Sequence, residues 1–138
     1  MIVDYRIYQI ALSQLQGIGS KKAKLLVSFL GSVEAVFKES SQALSGIDGI
    51  GTSIVRNLNR ESALELAKRE IDYIDKNSIK TLFYQDETYP NKLRHCDDGP
   101  IVLFGKGKLD FNARNIAVLE REKQQPTVKK WSKSCLKI

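Results

Sequence analysis

Two glycine-rich stretches carry the residue types that hold phosphate groups. Residues 15–22 read LQGIGSKK and residues 47–54 read IDGIGTSI. Both follow the pattern apolar-x-Gly-Ile-Gly-hydroxyl, so that Gly17 of the first copy corresponds to Gly49 of the second. A glycine-rich turn before a helix presents backbone N–H groups to an anion such as a DNA phosphate. The repeat is the helix-hairpin-helix signature, so the sequence predicts two candidate phosphate-binding hairpins.

The two copies share this pattern but differ in charge. The candidate phosphate-binding residues of the first copy are Gly17, Ile18, Gly19, Lys21 and Lys22. Those of the second copy are Gly49, Ile50, Gly51, Thr52 and Arg56, with Asp48 as a repulsive neighbour. Ser20 and Thr52 can cap the helices that follow. The alternative interpretation is that both hairpins only pack a small helical bundle.

Other residues with chemical potential form no catalytic or metal-binding pattern. His95 and Cys96 are adjacent, but no further ligand or base lies at a suitable spacing. Asp97 and Asp98 precede Gly-Pro, which is typical of a turn. The sequence therefore predicts no catalytic residue, no metal and no cofactor. An enzyme is the least expected class of protein.

The net charge of +6 is unevenly distributed along the 138 residues. Residues 1–60 carry +3, residues 61–118 carry −1, and residues 119–138 carry +4. The hairpin region is thus mildly basic, which suits an acidic partner. The sequence has no signal-peptide pattern, no run that could span a membrane, and only two widely separated cysteines. A cytoplasmic location and no membrane partner are expected.

The N-terminal part of the chain has the apolar spacing of helices. Tyr8, Ala11, Leu12 and Leu15 lie at i, i+3, i+4 and i+7, and Ala23, Leu26, Val27 and Leu30 repeat this spacing. The expected helix-terminating and capping residues are Gly31, Ser32, Ser40 or Ser41, Asn59 and Asn77. Residues 1–77 are therefore predicted to form an all-helical domain around the two hairpins.

The character of the chain changes at Ser78. Residues 79–84 and 101–105 have the β-branched and aromatic composition of strands, and residues 115–118 resemble a buried strand of a parallel sheet. Residues 89–93 are predicted to form a helical turn that begins at proline. The predicted fold class is α+β, with residues 78–118 as a second unit.

Three motifs in this second unit occur in a recognisable order. Residues 89–93 read YPNKL, residues 98–107 read DGPIVLFGKG, and residues 115–118 read NIAV. Together they resemble the DprA/Smf family of DNA-processing proteins. Many members carry tandem hairpins in a helical, SAM-like domain before these motifs. The resemblance covers residues 1 to about 118.

The resemblance implies a Rossmann-like fold that begins in residues 78–118. It also implies a non-enzymatic role in natural transformation and recombination, in which the protein protects single-stranded DNA and loads the RecA recombinase. In the family, the first Rossmann strand continues into a Gly-(Ser/Thr)-Arg loop that meets DNA phosphates. Residues 119–123 read LEREK instead, so no residue of that loop is carried over.

This departure suggests a frameshift after the codon for Val118. One permitted set of codons for residues 119–126 gives Gly-Thr-Arg-Lys-Ala-Thr-Thr in another frame, which restores the family motif. Residues 119–138 would then be an out-of-frame tail in a truncated protein. The alternative is a natural basic tail that binds nucleic acid without sequence preference.

The sequence therefore predicts a DprA/Smf-type protein that lacks most of its Rossmann-like domain. Such a protein should bind DNA weakly and without sequence preference, and it should not load recombinase. One alternative is a free-standing double-hairpin DNA-binding module. The other is a helical protein-interaction domain. The sequence leaves the oligomeric state open.

Overall fold

The computed structural model describes residues 4–108 together with residues 110 and 113. Within this part, the helices are α1 (Arg6–Ser13), α2 (Ser20–Leu30), α3 (Val33–Lys38), α4 (Ser41–Ser45), α5 (Thr52–Arg56), α6 (Arg60–Lys76) and α7 (Asn91–Arg94). The strands are β1 (Ile79–Phe83) and β2 (Val102–Lys106). This mixture of many helices and one small sheet confirms the α+β class. The predicted strand at 115–118 and the tail at 119–138 lie outside the described residues.

The two copies of the glycine pattern have the same backbone geometry. The first turn (residues 15–19) joins α1 to α2, and the second turn (residues 47–51) joins α4 to α5. The first glycine of each turn has a positive φ, +75° at Gly17 and +90° at Gly49. This left-handed conformation is readily adopted by glycine because it has no Cβ.

Hydrogen bonds around the two turns occur at equivalent positions of the repeat. The hydroxyl of Ser13 donates to the Ile10 carbonyl at 2.6 Å, and that of Ser45 donates to the Gln42 carbonyl at 3.0 Å. The N–H of each central isoleucine donates to the carbonyl three residues earlier, at 3.4 Å for Ile18 and 3.0 Å for Ile50. The sequence repeat is therefore a repeat of local structure.

Several predicted helix ends are confirmed. The side chains of Ser32 and Ser40 accept hydrogen bonds from backbone N–H groups three residues later, at 3.2 and 3.1 Å, and thereby cap α3 and α4. Gly31 is the C-cap residue of α2 and Asn77 is the C-cap residue of α6, as predicted.

The prediction that Ser20 and Thr52 cap their helices is wrong. Both residues already lie inside the first helical turn, and the N-cap positions of α2 and α5 are Gly19 and Gly51. These glycines have extended backbones and no side chain that could accept a hydrogen bond. Helix termini without such a cap leave backbone N–H groups available to solvent or a ligand.

Asn59 occupies the N-cap position of α6, but its side chain does not cap that helix. With φ −94° and ψ 53°, the backbone departs from the extended cap geometry. The Asn59 Oδ1 atom instead accepts a hydrogen bond from the N–H of Gln16 at 3.0 Å. The prediction that Asn59 caps α6 is therefore wrong, and its side chain links the first turn to the start of α6.

The hydrophobic core follows the repeat. Buried residues at equivalent positions of the two copies form the pairs Leu12 and Leu44, Leu15 and Ile47, Ile18 and Ile50, and Ala23 and Val55. Helix α6 packs along α1 and contributes Ala63, Ala67, Ile71 and Ile74. No polar or charged residue is buried among those that the structure describes. Burial of these apolar faces is the main force that assembles the short helices.

The two strands form an antiparallel pair in which Ile79 lies opposite Lys106 and Phe83 lies opposite Val102. Ile79, Phe83 and Ile101 belong to the same hydrophobic cluster as the helical core. The helical region and the sheet therefore share one core across the predicted boundary at residue 77. The parallel arrangement of a Rossmann-like fold is not present in residues 4–108.

Arg6 ties the beginning of α1 to the end of α6. Its guanidinium donates to the Asp4 carboxylate at 2.7 Å and to the Asp75 carboxylate at 2.8 Å. The hydrogen bonds from Arg6 lower the pKa of Asp4 and of Asp75. The pair of carboxylates thus contributes to stability only while it is ionised.

The positive φ at Gly49 predicts a specific cost for substitution. Gly49→Ala should lower the free energy of unfolding by about 1–2 kcal/mol, because alanine disfavours the left-handed region. Its Cβ would also lie 3.4 Å from Leu25 Cδ2. Urea denaturation followed by circular dichroism measures the change.

The matched control for Gly49→Ala is Gly46→Ala, three residues earlier. Gly46 has φ −76° and space for a Cβ, so the control should change the free energy of unfolding by less than about 0.5 kcal/mol. Equal effects at the two positions would contradict the assigned turn geometry.

The lowered pKa values around Arg6 predict how stability depends on pH. A carboxyl group whose pKa is lowered by folding stabilises the protein above its unfolded value of about 3.9, and this stability is lost as the pH falls through the folded value. Arg6→Gln should lower stability at pH 7 and flatten its decline below about pH 4. Arg69→Gln, on the exposed face of α6, is the control and should leave the pH profile unchanged. Urea midpoints between pH 7 and pH 3 test both variants.

Candidate nucleic-acid interface

The first turn combines a buried anchor with an exposed backbone. Ile18 is buried, whereas Gly17 and Gly19 on either side are exposed. The first intrahelical bond of α2 runs from the N–H of Ala23 to the carbonyl of Gly19 at 2.9 Å. The N–H groups of residues 20–22 therefore precede the hydrogen-bonded ladder and point beyond the end of the helix. Such an end can bind a phosphate oxygen.

Positive charge surrounds this exposed turn. From residue 5 to residue 33 the chain contains four basic residues and no acidic residue. Lys21 is exposed and Lys22 is half-buried, and within the described chain neither ammonium has a hydrogen bond or ion pair. Lysines in the first turn of a helix oppose its dipole. A bound anion would relieve that opposition.

The second turn has the same backbone but a weaker charge pattern. Ile50 is buried, and Gly49, Gly51 and Thr52 are exposed. Asp48 is exposed beside them. Arg56 is exposed in the last turn of α5, where it complements the helix dipole instead of flanking the first turn. Of the two predicted sites, the first carries more positive charge near its helix end.

The structure brings the two turns close together. A Cβ at Gly17 would lie 4.0 Å from Ile54 Cγ2 in α5, and a Cβ at Gly49 would lie 3.4 Å from Leu25 Cδ2 in α2. Each turn therefore lies against the helix that follows the other turn. These two contacts bring α2 and α5, and with them the predicted site residues, near each other.

The residues between β1 and β2, here called the connector (residues 84–101), meet α2 beside the first turn. Lys24 Nζ donates to the carbonyls of Cys96 and Asp97 at 3.2 and 3.3 Å. The same ammonium lies 5.4 Å from the centre of the Tyr84 ring, a cation–π distance. Sequence reasoning missed this contact. The sequence shows only that Lys21 and Lys24 lie on one helix face at i, i+3, and no local pattern indicates that Lys24 meets the connector.

The connector is held in shape by residues of its motifs and by Arg94, which follows the YPNKL motif. Tyr89 is fully buried, and its hydroxyl donates to the Pro100 carbonyl, which ties the first part of the connector to its last residues. The Arg94 guanidinium donates to the carbonyls of Asp86 and Tyr89. A Cβ at Gly99 would lie only 2.8 Å from the Leu93 carbonyl oxygen. These contacts give the YPNKL and DGP motifs a structural role.

The residues that suggested other chemistry lie on the surface. His95, Cys96, Asp97 and Asp98 are all exposed, and the last two form the predicted turn. Within the described ranges, no group of three His, Cys, Asp or Glu side chains is placed to hold a metal ion. None of the described helices has the length and apolar character needed to cross a membrane.

Comparison with known protein families gave a match for the segment that contains the connector and its two strands. Residues 80–137 match the family model described as DNA recombination-mediator protein A. This segment is similar to the DprA family. The match confirms the resemblance inferred from the YPNKL, DGPIVLFGKG and NIAV motifs. Comparison with curated proteins gave no match.

The DprA match and the motif-based resemblance have different ranges. The match begins in β1 and extends to residue 137, so it includes residues 119–137, which the motifs placed outside the family pattern. It does not include the two hairpins. The frameshift after Val118 therefore stays a prediction, and the match through residue 137 does not favour it.

The buried hydroxyl of Tyr89 generates a prediction about the connector. Tyr89→Phe should lower the free energy of unfolding by about 1 kcal/mol, because the Pro100 carbonyl loses its donor. Burial raises the pKa of Tyr89, so the hydroxyl is protonated and remains a donor at neutral pH. Tyr5→Phe, at a side chain that is 62% exposed, is the matched control and should be neutral. Urea denaturation measures the free energy of unfolding of both variants. An unchanged free energy of unfolding in Tyr89→Phe would contradict the structural role of the Tyr89 hydroxyl.

Proposed function

We propose that this chain is a DNA-processing protein of recombination whose first hairpin binds the DNA backbone. The observation that carries the proposal is the uncompensated charge around an exposed helix end, supplied by Lys21 and Lys22. The DprA match of the following segment supports DNA as the polyanion. No catalytic step is proposed. The chain acts by binding, with no cofactor or metal.

The expected binding mode is contact with phosphates. Backbone N–H groups at residues 20–22 would meet phosphate oxygens, and the two lysine side chains would flank them. Contacts of this kind position a nucleic acid without reading its bases. Binding should therefore be indifferent to sequence and should weaken steeply as salt increases.

Finer features of the proposal follow the family resemblance. We propose that residues 1–77 form a SAM-like domain with two helix-hairpin-helix motifs, and that a Rossmann-like fold begins after it. The role would lie in the cytoplasm, in natural transformation, where the family protects single strands and loads the RecA recombinase. In the family the main DNA surface belongs to the Rossmann-like domain, so these residues alone should bind weakly and load no recombinase. The gene sequence after the Val118 codon decides whether a frameshift removed the rest.

A helical protein-interaction domain is the second candidate. The observation in its favour is an apolar pair on α2, where Leu25 is 39% exposed and Phe29 is 66% exposed one helical turn later. Exposed apolar side chains at i, i+4 can contact a partner. Such binding should be insensitive to salt and to the loss of Lys21 and Lys22.

The charge argument predicts the effect of removing both lysines from the first hairpin. The double variant Lys21→Gln/Lys22→Gln should weaken binding of a fluorescent DNA duplex and reduce the slope of log K against log salt by about 2, because each phosphate contact contributes about 1. Fluorescence anisotropy between low and moderate salt measures both quantities. The matched control is Lys68→Gln/Arg69→Gln, which removes two adjacent exposed charges from α6.

The DNA-binding measurements distinguish the two candidate functions. A control pair that weakens DNA binding as much as the hairpin pair would mean that net charge alone drives it. A chain that does not bind DNA at low salt would contradict the DNA proposal and favour the protein-interaction domain.

A further inference from the structure

A cleft lies between α2 and the connector, beside the first turn. Its lining includes Lys21 and Lys24 from α2, and Tyr84, Gln85 and Arg94 from the connector. Its volume of about 790 Å³ lies within the range of roughly 300–1,000 Å³ that is typical of ligand clefts. We call it the connector cleft.

The cations of the connector cleft are held in place without being neutralised. Lys24 and Arg94 are bound by backbone carbonyl oxygens, which carry no net charge. Lys21 has no side-chain partner within the described chain. Asp97 is the acidic residue of the lining, so three cations face one carboxylate. The cleft is therefore an electropositive surface with two preorganised cations.

The connector cleft also includes an aromatic ring, that of Tyr84, with the Lys24 ammonium over it. The Tyr84 ring is half-buried and is held by Lys24 and by the Phe83 ring, whose centre lies 4.6 Å away. Leu25 adds an apolar edge that is 39% exposed. Aromatic side chains beside cations are the elements with which proteins hold unpaired bases and their phosphates. Gln85 supplies an amide that can donate to or accept from a base edge.

We infer that the connector cleft binds a short stretch of single-stranded DNA. A phosphate would lie between Lys21 and Arg94, and an unpaired base would lie against Tyr84 and Leu25. Lys21 belongs both to the first hairpin and to this cleft, so a strand bound at the turn continues into the cleft. A paired base cannot reach the Tyr84 ring, and the cleft therefore selects single strands over duplex. This inference rests on the proposed DNA-binding function and adds a second site to it.

Removal of the Tyr84 ring tests the inference. Tyr84→Leu should weaken binding of a fluorescent oligo-dT by about tenfold, because one stacked base loses its platform. Binding of a duplex of the same length should change less than about twofold. Tyr84→Phe keeps the ring and should bind oligo-dT as the unchanged protein does. Tyr5→Leu is the matched control at an exposed tyrosine outside the cleft. Circular dichroism and thermal denaturation check that each variant is folded.

Cys96 gives a second readout that leaves Tyr84 intact. Its thiol is exposed and lies in the lining of the connector cleft. In a Cys135→Ser background, saturating oligo-dT should slow the reaction of Cys96 with a maleimide severalfold, and duplex should not. This measurement remains decisive even where Tyr84→Leu fails to fold.

Failure of the inference can be told from failure of the proposed function. Lys22 belongs to the first hairpin and is not part of the cleft lining. Weaker DNA binding by Lys22→Gln, with unchanged oligo-dT binding by a folded Tyr84→Leu variant and no protection of Cys96, would overturn the cleft and leave the hairpin site standing. Absence of any DNA binding by the unsubstituted chain at low salt would overturn both.

Discussion

The structure depends on how one isoleucine in each turn is buried between two glycines. Ile18 and Ile50 enter the core, and the chain must reverse direction around them within a short turn. The reversal requires a positive φ at Gly17 and Gly49 and leaves the backbone outside the isoleucine exposed. A hydrophobic requirement thus produces an exposed helix end. The chemistry of the candidate site follows from the packing of the core.

The sequence predicted this part of the fold well because its signals are local. A Gly-x-Gly pattern, serine caps and i, i+3, i+4 spacing act between near neighbours in the chain, and the ends of α2, α3, α4 and α6 follow from them. The prediction of capping by Ser20 and Thr52 was wrong because these are the first residues inside α2 and α5, and the N-cap positions before them are Gly19 and Gly51. Asn59 was placed correctly at the helix end, but its side chain bonds to the backbone of Gln16, which is distant in the chain. No local pattern predicts such a partner.

The features of the site that could not be predicted from the sequence depend on contacts between segments that are distant in the chain. The first hairpin could be selected from its charges alone, whereas the connector cleft needs Lys24 of α2 to meet Tyr84, which follows β1. The DprA motifs were recognised from their order, but their physical role was not. Tyr89 and Arg94 fold the connector back on itself through bonds to backbone carbonyls. Their chemistry is structural, and it places Tyr84 beside α2.

The repeat also allows the two hairpins to be compared residue by residue. When the two copies are aligned on their glycines, Lys21 corresponds to Ser53 and Lys22 corresponds to Ile54. The backbone turn is the same, yet Ile54 lies close to Gly17 in the neighbouring turn, whereas Lys21 is left in solvent. The second hairpin therefore has the turn of the first without the two lysines of its first helical turn, although Arg56 occupies the position of Lys24.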